Sequence, residues 1–230
     1  MFKILIVVFI IAIVYALRNT KIKFKTFFKK GFRPNRGQFG VYCYCGKQGS
    51  GKTYSVVEYL RNHKDKKIYA NVSSIKGINY TYFSGFDNLL KLQDEHDCII
   101  FYDEIFTALT KSSRINSEVL SFLSQMRKRR IIFLTTAQEW LEINITLRRY
   151  CRYQIDCSMR TIIFGLLIKH MYDAEQMKWS NEENEYVAPL VETTISKCNV
   201  CVANSYDTFE QIDTSGKPNV QSIGKRSDTP

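Results

Sequence analysis

From residue 46 to residue 53 the chain reads Gly46-Lys47-Gln48-Gly49-Ser50-Gly51-Lys52-Thr53. Three glycines in six positions let successive backbone N–H groups turn inward as an anion nest, and a lysine and a hydroxyl follow directly. Such a set suits a nucleoside triphosphate. Lys52 would reach the β- and γ-phosphates, and Thr53 would offer its hydroxyl to Mg²⁺. A plain glycine turn is the alternative. It leaves unexplained the apolar run Phe39–Cys45 before the loop and the helix-forming run Tyr54–Leu60 after it. Strand, glycine loop and helix in that order are what a phosphate loop needs, because the helix then directs the positive end of its dipole at the anion.

Holding a metal and activating water require acids, and two stand at the end of the apolar run Cys98–Tyr102. Asp103 would meet the Mg²⁺ shell. Glu104, one residue on, would polarise the attacking water as a general base. A solvated strand end with two acids is the plainer reading of this pair alone. Its company, a phosphate loop about fifty residues upstream, favours the metal and base roles. A third apolar run, Ile131–Leu134, ends in Thr135-Thr136-Ala137-Gln138. Thr136 or Gln138 would there sense the γ-phosphate or hold the lytic water, since ligands of parallel sheets bind beyond the carboxyl ends of strands. Thr135 or Thr136 would equally serve as the cap of a helix over Gln138–Glu142.

The remaining elements supply a frame for these ends. Lys66–Val72 reads as a further strand, and Phe86–Asp94 and Asn116–Arg130 read as crossover helices, the second with Val119, Phe122, Leu123 and Met126 on one face. Tyr153–Met159 and Thr161–Lys169 are separated by too little chain for a crossover, so they are expected as antiparallel strands extending the sheet edge. Glu192–Val202 is expected to add one more. Arg127-Lys128-Arg129-Arg130 and the pair Arg148-Arg149, with Arg152 behind it, are open to three readings. They are solvated helix ends, contacts to a DNA backbone, or an arginine finger reaching a neighbouring subunit's nucleotide, for which Arg148 and Arg149 are the better placed.

The chain has 230 residues, 45% of them hydrophobic and 24% charged, which excludes a wholly disordered protein and fits one principal domain. Its net charge of +11 is uneven. Eight basic and no acidic residues lie between Arg18 and Arg36, and Ile4–Leu17 before them carries no charged side chain. Residues 1–17 are therefore expected as a transmembrane anchor and 18–37 as a basic juxtamembrane segment. The cations retain the rest of the chain in the cytoplasm, N-out and C-in. A secretory signal cleaved after Ala16 is the competing reading. The aromatic-rich basic text also resembles nucleic-acid-binding sequence, but beside an apolar segment it fits anionic headgroups. Seven cysteines at scattered spacing suit reduced thiols, Cys198-Asn-Val-Cys201 being at most half a zinc site. Residues 213–230 are polar and expected to be a disordered tail.

Taken in order, Gly46-Lys-Gln-Gly-Ser-Gly-Lys-Thr53, Ile99-Ile-Phe-Tyr-Asp103-Glu104, Arg127-Lys-Arg-Arg-Ile-Ile-Phe-Leu-Thr-Thr-Ala-Gln138 and Leu147-Arg148-Arg149 resemble the zonula occludens toxin-like family, the assembly ATPases of filamentous bacteriophages. They are similar, more distantly, to the FtsK/HerA genome-packaging ATPases of membrane-containing viruses. The resemblance covers roughly residues 38–170. It implies an α/β P-loop fold of the additional-strand type, a mostly parallel sheet flanked by helices over residues 38–212, preceded by the anchor. It further implies ATP and Mg²⁺ as cofactors, a homo-oligomeric ring, and DNA and phage coat or other assembly proteins as partners at the host's cytoplasmic membrane. One departure stands out. In that family the membrane segment usually follows the ATPase domain, whereas here the apolar segment comes first. A second class of function is a nucleotide-dependent membrane scaffold or switch that recruits coat protein or DNA with little hydrolysis, and DNA-stimulated turnover separates the two.

Overall fold

The structure, a computed structural model, describes residues 39–110, 114–160, 165–181 and 185–207. The expected anchor (1–17), basic segment (18–37) and polar tail (213–230) lie outside the described residues. Among the described residues no helix is long and apolar enough to cross a membrane.

The elements in chain order are β1 (Gly40–Cys45), α1 (Lys52–Arg61), β2 (Lys67–Ala70), β3 (Thr81–Tyr82), a 3₁₀ segment (Asp87–Leu92), β4 (Cys98–Tyr102), α2 (Ile105–Ala108), α3 (Ser117–Gln125), β5 (Ile132–Ala137), a 3₁₀ turn (Trp140–Glu142), α4 (Ile145–Tyr150), β6 (Cys151–Arg160), β7 (Leu166–Asp173), a 3₁₀ turn (Ala174–Gln176), β8 (Lys178–Ser180), β9 (Glu185–Val187), β10 (Leu190–Lys197) and α5 (Val200–Ala203). Eight strands form one sheet in the order β10-β7-β6-β1-β5-β4-β2-β3, and β8 and β9 pair as a separate antiparallel ribbon. From β6 to β3 every pairing is parallel; β7 and β10 add antiparallel strands beyond β6. The fold is thus the expected mostly parallel α/β sheet flanked by helices. Its additional strand is β5, lodged between the strand that precedes the phosphate loop and the strand that ends in Asp103.

The central strands read as near-continuous apolar runs because both faces of a parallel sheet are covered. All residues of β1, β4 and β5 are buried. Alternate residues serve opposite faces. Val41, Cys43, Ile100, Tyr102 and Phe133 pack under α2, α3 and α4 through Ile105, Phe122, Met126 and Leu147. Tyr42, Tyr44, Ile99, Phe101, Ile132 and Leu134 pack under α1 through Tyr54, Val56, Val57 and Leu60.

Several boundaries differ from the expected ones, each for a local reason. The segment expected as a crossover helix over Phe86–Asp94 is the six-residue 3₁₀ piece, closed by i→i+3 bonds such as Leu89 N–H to the Phe86 carbonyl at 3.0 Å. The helix expected to reach Arg130 stops at Gln125. There the chain turns back: Ile131 N–H bonds the Met126 carbonyl at 2.9 Å, Arg130 N–H bonds that of Arg127 at 3.2 Å, and Arg130 takes φ 59°, the left-handed residue of a Schellman turn. Met126 and Ile131, both fully buried, make the apolar contact that such a turn needs.

The third strand runs on to Ala137, so Thr135 and Thr136 are strand residues and neither caps a helix. The helix expected over Gln138–Glu142 is only the turn Trp140–Glu142, capped by Glu139 and Glu142. The antiparallel pair does extend the edge, as β6 and β7, with β7 running to Asp173. The last expected strand ends at Lys197, where Asn199 instead caps α5 by accepting from Cys201 N–H at 2.8 Å. The β8–β9 ribbon has no counterpart among the expected elements; its strands are three residues long.

Candidate nucleotide site

The phosphate loop leaves β1 at Cys45, and its closeness to the sheet dictates its glycines. A Cβ on Gly46, φ +145°, would lie 2.6 Å from the Cys157 carbonyl, and one on Gly51, φ +87°, would lie 2.8 Å from Leu167 Cδ1. Gly51 is the N-cap of α1, so Lys52 and Thr53 open that helix at its positive end. Lys52 Nζ donates to the carbonyls of Gly46 (2.7 Å) and Lys47 (3.1 Å), which seats the ammonium inside the curve of the loop. Ser50 N–H closes the loop on the Lys47 carbonyl at 3.1 Å, with Gln48 and Gly49 between them at the turn.

Strand order brings the second half of the site alongside. Asp103 follows β4 and is 7% exposed. Its carboxylate accepts a hydrogen bond from Thr53 Oγ1 at 3.3 Å and another from Thr136 Oγ1 on β5. Burial raises its pKa to about 6; the hydrogen bonds from Thr136 and Thr53 oppose that rise. Its backbone is fixed too. Asn71, the 2%-exposed residue after β2, accepts from Asp103 N–H at 2.7 Å and donates through Nδ2 to its carbonyl at 3.3 Å.

Glu104 comes next in the left-handed region, φ 52° and ψ 51°, a conformation costing a non-glycine residue about 1–2 kcal/mol. Thr136 Oγ1 accepts its N–H at 2.8 Å, and its carbonyl accepts from Thr107 N–H (3.0 Å) and Oγ1 (2.7 Å). One hydroxyl, that of Thr136, therefore donates to the Asp103 carboxylate and accepts from Glu104. Glu104 is half-buried, and among the described residues its carboxylate has no hydrogen-bond or ion-pair partner.

Gln138 also reaches the loop, through its backbone: its carbonyl accepts Gly46 N–H at 3.1 Å while its side chain is exposed. Arg148 and Arg149 do not. They end α4 just before Cys151, which pairs with Val41 at the far end of β1. The six residues of β1 put them about 17 Å from their own phosphate loop. Arg148 is half-buried with its guanidinium 6.0 Å from the Tyr186 ring, and Arg149 is exposed.

Asn71 is not legible as a site residue. Nothing in its sequence neighbourhood marks it, and only the adjacency of β2 and β4 gives it a role. Thr136 is legible as one of two candidates with Gln138; its hydroxyl meets Asp103 and Glu104, whereas Gln138 meets the loop through its carbonyl and the Thr135 hydroxyl bonds the Tyr102 carbonyl at 2.8 Å.

The donor set fits Mg²⁺ with a nucleoside triphosphate. A hydroxyl and a carboxylate from two elements converge at the mouth of an anion nest, a hard-oxygen pair of the kind Mg²⁺ takes beside phosphate oxygens. Because the metal must displace a proton once Asp103 is protonated, the Mg²⁺ concentration for half-maximal turnover should rise about tenfold per pH unit as pH falls below about 6. A magnesium titration at several pH values reads this, and a flat profile would remove Asp103 from the metal shell. Glu104→Gln keeps the shape and loses the base, so it should still bind Mg²⁺ and ATP by calorimetry while turnover falls at least 10²-fold.

Comparison with known proteins agrees with this geometry. Residues 42–160 match the model of the "ATPase family associated with various cellular activities (AAA)". Among curated proteins, none matches the chain. The N-terminal domain of zonular occludens toxin from Neisseria meningitidis superposes with a TM-score of 0.51 at 17% identity, covering 73% of this chain and 98% of that one. The genome packaging NTPase B204 of Sulfolobus turreted icosahedral virus 2, in complex with ATP-gammaS, gives 0.47 at 12% identity over 67% of this chain and 97% of that one. The flagellar accessory protein FlaH of Methanocaldococcus jannaschii gives 0.43 at 11% identity, over 69% and 84% of the two chains. The first of these establishes the shared fold that the sequence motifs lead one to expect. With the matched region running from β1 through β6 and enclosing every part of the nucleotide site, the chain belongs to the AAA family of ATPases and is an ATP-hydrolysing P-loop enzyme.

Proposed function

We propose that this ATPase is anchored in a membrane by residues 1–17, joined through the basic segment 18–37 to an ATPase domain over residues 38–212, and moves viral DNA during virion assembly, extrusion or packaging. The observation that carries the reading is the convergence of Lys52, Thr53, Asp103 and Glu104 on a fold shared with a zonular occludens toxin N-terminal domain. The order of motifs from Gly46 to Arg149 supports it. So does the apolar and then cationic text ahead of Phe39. A homo-oligomeric ring, with DNA and coat or other assembly proteins as partners at the host's cytoplasmic membrane, completes the proposal.

The chain's own groups divide the work of hydrolysis. Backbone N–H groups of residues 47–49 and 51 and the first turn of α1 bind the phosphates, and Lys52 neutralises charge growing on the β–γ bridge. Thr53 and Asp103 supply oxygen ligands. Mg²⁺, when bound with ATP, contributes the divalent charge that draws electron density from the transferred phosphoryl group. Glu104 orients water and accepts its proton, and Gln138 lies at the loop's mouth to hold that water in line. Thr136 keeps Asp103 and Glu104 in register.

Each strand of the proposal has a test. Lys52→Ala should abolish turnover and leave the circular dichroism spectrum unchanged, since it removes a cation and no core side chain. DNA should stimulate the wild type several-fold; equal turnover with and without DNA would favour the scaffold reading over a motor. The double variant Arg148→Ala, Arg149→Ala should bind ATP yet lose about 10³-fold in turnover if a neighbour's arginine completes the site. At about 17 Å from their own loop, these residues can act on hydrolysis only from another subunit. Mixing this variant with Lys52→Ala should then restore part of the activity, and no recovery in mixtures shown to co-assemble would count against the finger.

A further inference from the structure

The protein's own nucleotide site sits at one end of the parallel sheet, and the opposite end carries charge that takes no part in that site. Parallel register brings Phe39, Lys66, Asp97, Ile131 and Tyr150 to that end together. The turns that meet there are rich in cations: Lys64 and Lys66 after α1, Arg127–Arg130 before β5, and Arg152 at the start of β6. Three of its acids are already taken. Glu95 bridges Lys67 at 2.7 Å, Asp97 bridges Arg130 at 2.8 Å, and Glu175 pairs with Arg127. Lys64, Lys66 and Lys128 have no ion-pair or side-chain hydrogen-bond partner among the described residues, and Arg129 and Arg152 bond only neutral acceptors. Against these stand the acids Asp65, Asp94 and Asp173, the last accepting from Glu175 N–H and Gln176 Nε2.

A shallow cavity of about 100 Å³ opens on this face, with Phe39, His63, Lys66, Asp97 and Arg130 among its walls. His63 is 5% exposed and stacked on the Tyr59 ring at 4.2 Å. Its Nδ1 lies 2.8 Å from the Tyr59 carbonyl, which can only accept, so Nδ1 carries a proton. Nε2 is buried with no partner. Lys66 lines the same cavity, its side chain without a partner among the described residues, so it is the wall residue that an anionic ligand would meet.

We propose that this end of the sheet is a membrane-facing surface that docks on anionic lipid headgroups, with a headgroup phosphodiester met by Lys66 at the mouth of the cavity. The P-loop then points away from the bilayer. Charge complementarity argues for lipid, and so does continuity. The eight cations and no acids of residues 18–36 join the domain at Phe39, on this face, and lead back to the apolar run Ile4–Leu17. The inference rests on the reading of residues 1–17 as an anchor. It adds to that reading which face of the domain the membrane meets, and a headgroup site no part of the ATPase reaction requires.

The full chain in nanodiscs decides it by amide hydrogen exchange. In discs of phosphatidylglycerol and phosphatidylcholine, amides of residues 62–67 and 126–130 should exchange about tenfold more slowly than in discs of phosphatidylcholine alone, while residues 46–53 exchange alike in both. The triple variant Lys64→Ala, Lys66→Ala, Lys128→Ala should abolish the difference and keep the wild-type ATP turnover in detergent. Equal exchange in both discs overturns the proposal. So does the same protection raised in phosphatidylcholine discs by inorganic phosphate, which would make the cavity a free-anion site, or by duplex DNA, which would make the face a nucleic-acid surface. Alkaline extraction tests the anchor separately. If the chain washes out, residues 1–17 do not span, and the same exchange comparison with added vesicles of the two compositions still decides the face.

Discussion

A carboxylate held at 7% exposure imposes conditions on everything around it. Leaving the Asp103 side chain without partners in such a place would cost several kcal/mol. The fold supplies donors from two directions, Thr53 Oγ1 from the start of α1 and Thr136 Oγ1 from β5, while Asn71 secures the backbone from β2. No local stretch of chain can provide these. β5 has to lie between β1 and β4, and β2 has to lie on the other side of β4, so the strand order β1-β5-β4-β2 is the minimum that satisfies this one acid. The packing that enforces the order is generic. Continuous apolar strands covered on both faces leave polar groups only at their carboxyl ends, where ligands of parallel sheets gather.

Glu104 inherits the consequences. Once Asp103 is clamped, the next residue must leave the strand sharply, and it does so in the left-handed region at φ 52°. The cost of about 1–2 kcal/mol is offset by the bonds to Thr136 and Thr107 that the conformation permits. A strained, hydrogen-bonded backbone with a side chain free of partners among the described residues suits a group that must meet water at a set angle.

The phosphate loop, the Asp103-Glu104 pair and the parallel sheet are legible in the sequence because each is written in contiguous residues. Gly46 to Thr53 carries its mechanism in its spacing, and Cys98–Tyr102 and Ile131–Leu134 are too apolar and too short to be anything but buried strands. Asn71 is opaque because its role depends on which strand lies next to it. The helix end at Gln125 escapes a sequence reading because a Schellman turn normally advertises itself with glycine, and here Arg130 takes the left-handed position. The 3₁₀ piece at Asp87–Leu92 reads as a helix because its buried leucines, Leu89 and Leu92, are three apart, a spacing both helix types share. Arg148 and Arg149 suggest a site role by their place after the third strand, but β6 begins at the far end of the sheet, so the chain between must cross its full height.

The sheet thereby separates two kinds of surface, polar chemistry at the carboxyl ends and unpaired cations at the amino ends, and the first depends on the hydroxyl of Thr136. Thr136→Val removes that hydroxyl at nearly constant volume, leaving the Asp103 carboxylate short of one donor and the Glu104 N–H without an acceptor. Each loss is worth about 1–3 kcal/mol. Steady-state ATP turnover at saturating nucleotide, with ATP affinity measured in parallel, is the direct measurement. The account requires a fall of roughly 10- to 100-fold in turnover with affinity little changed, and recovery in Thr136→Ser. Wild-type turnover in Thr136→Val, or equal loss in Thr136→Ser, would contradict it.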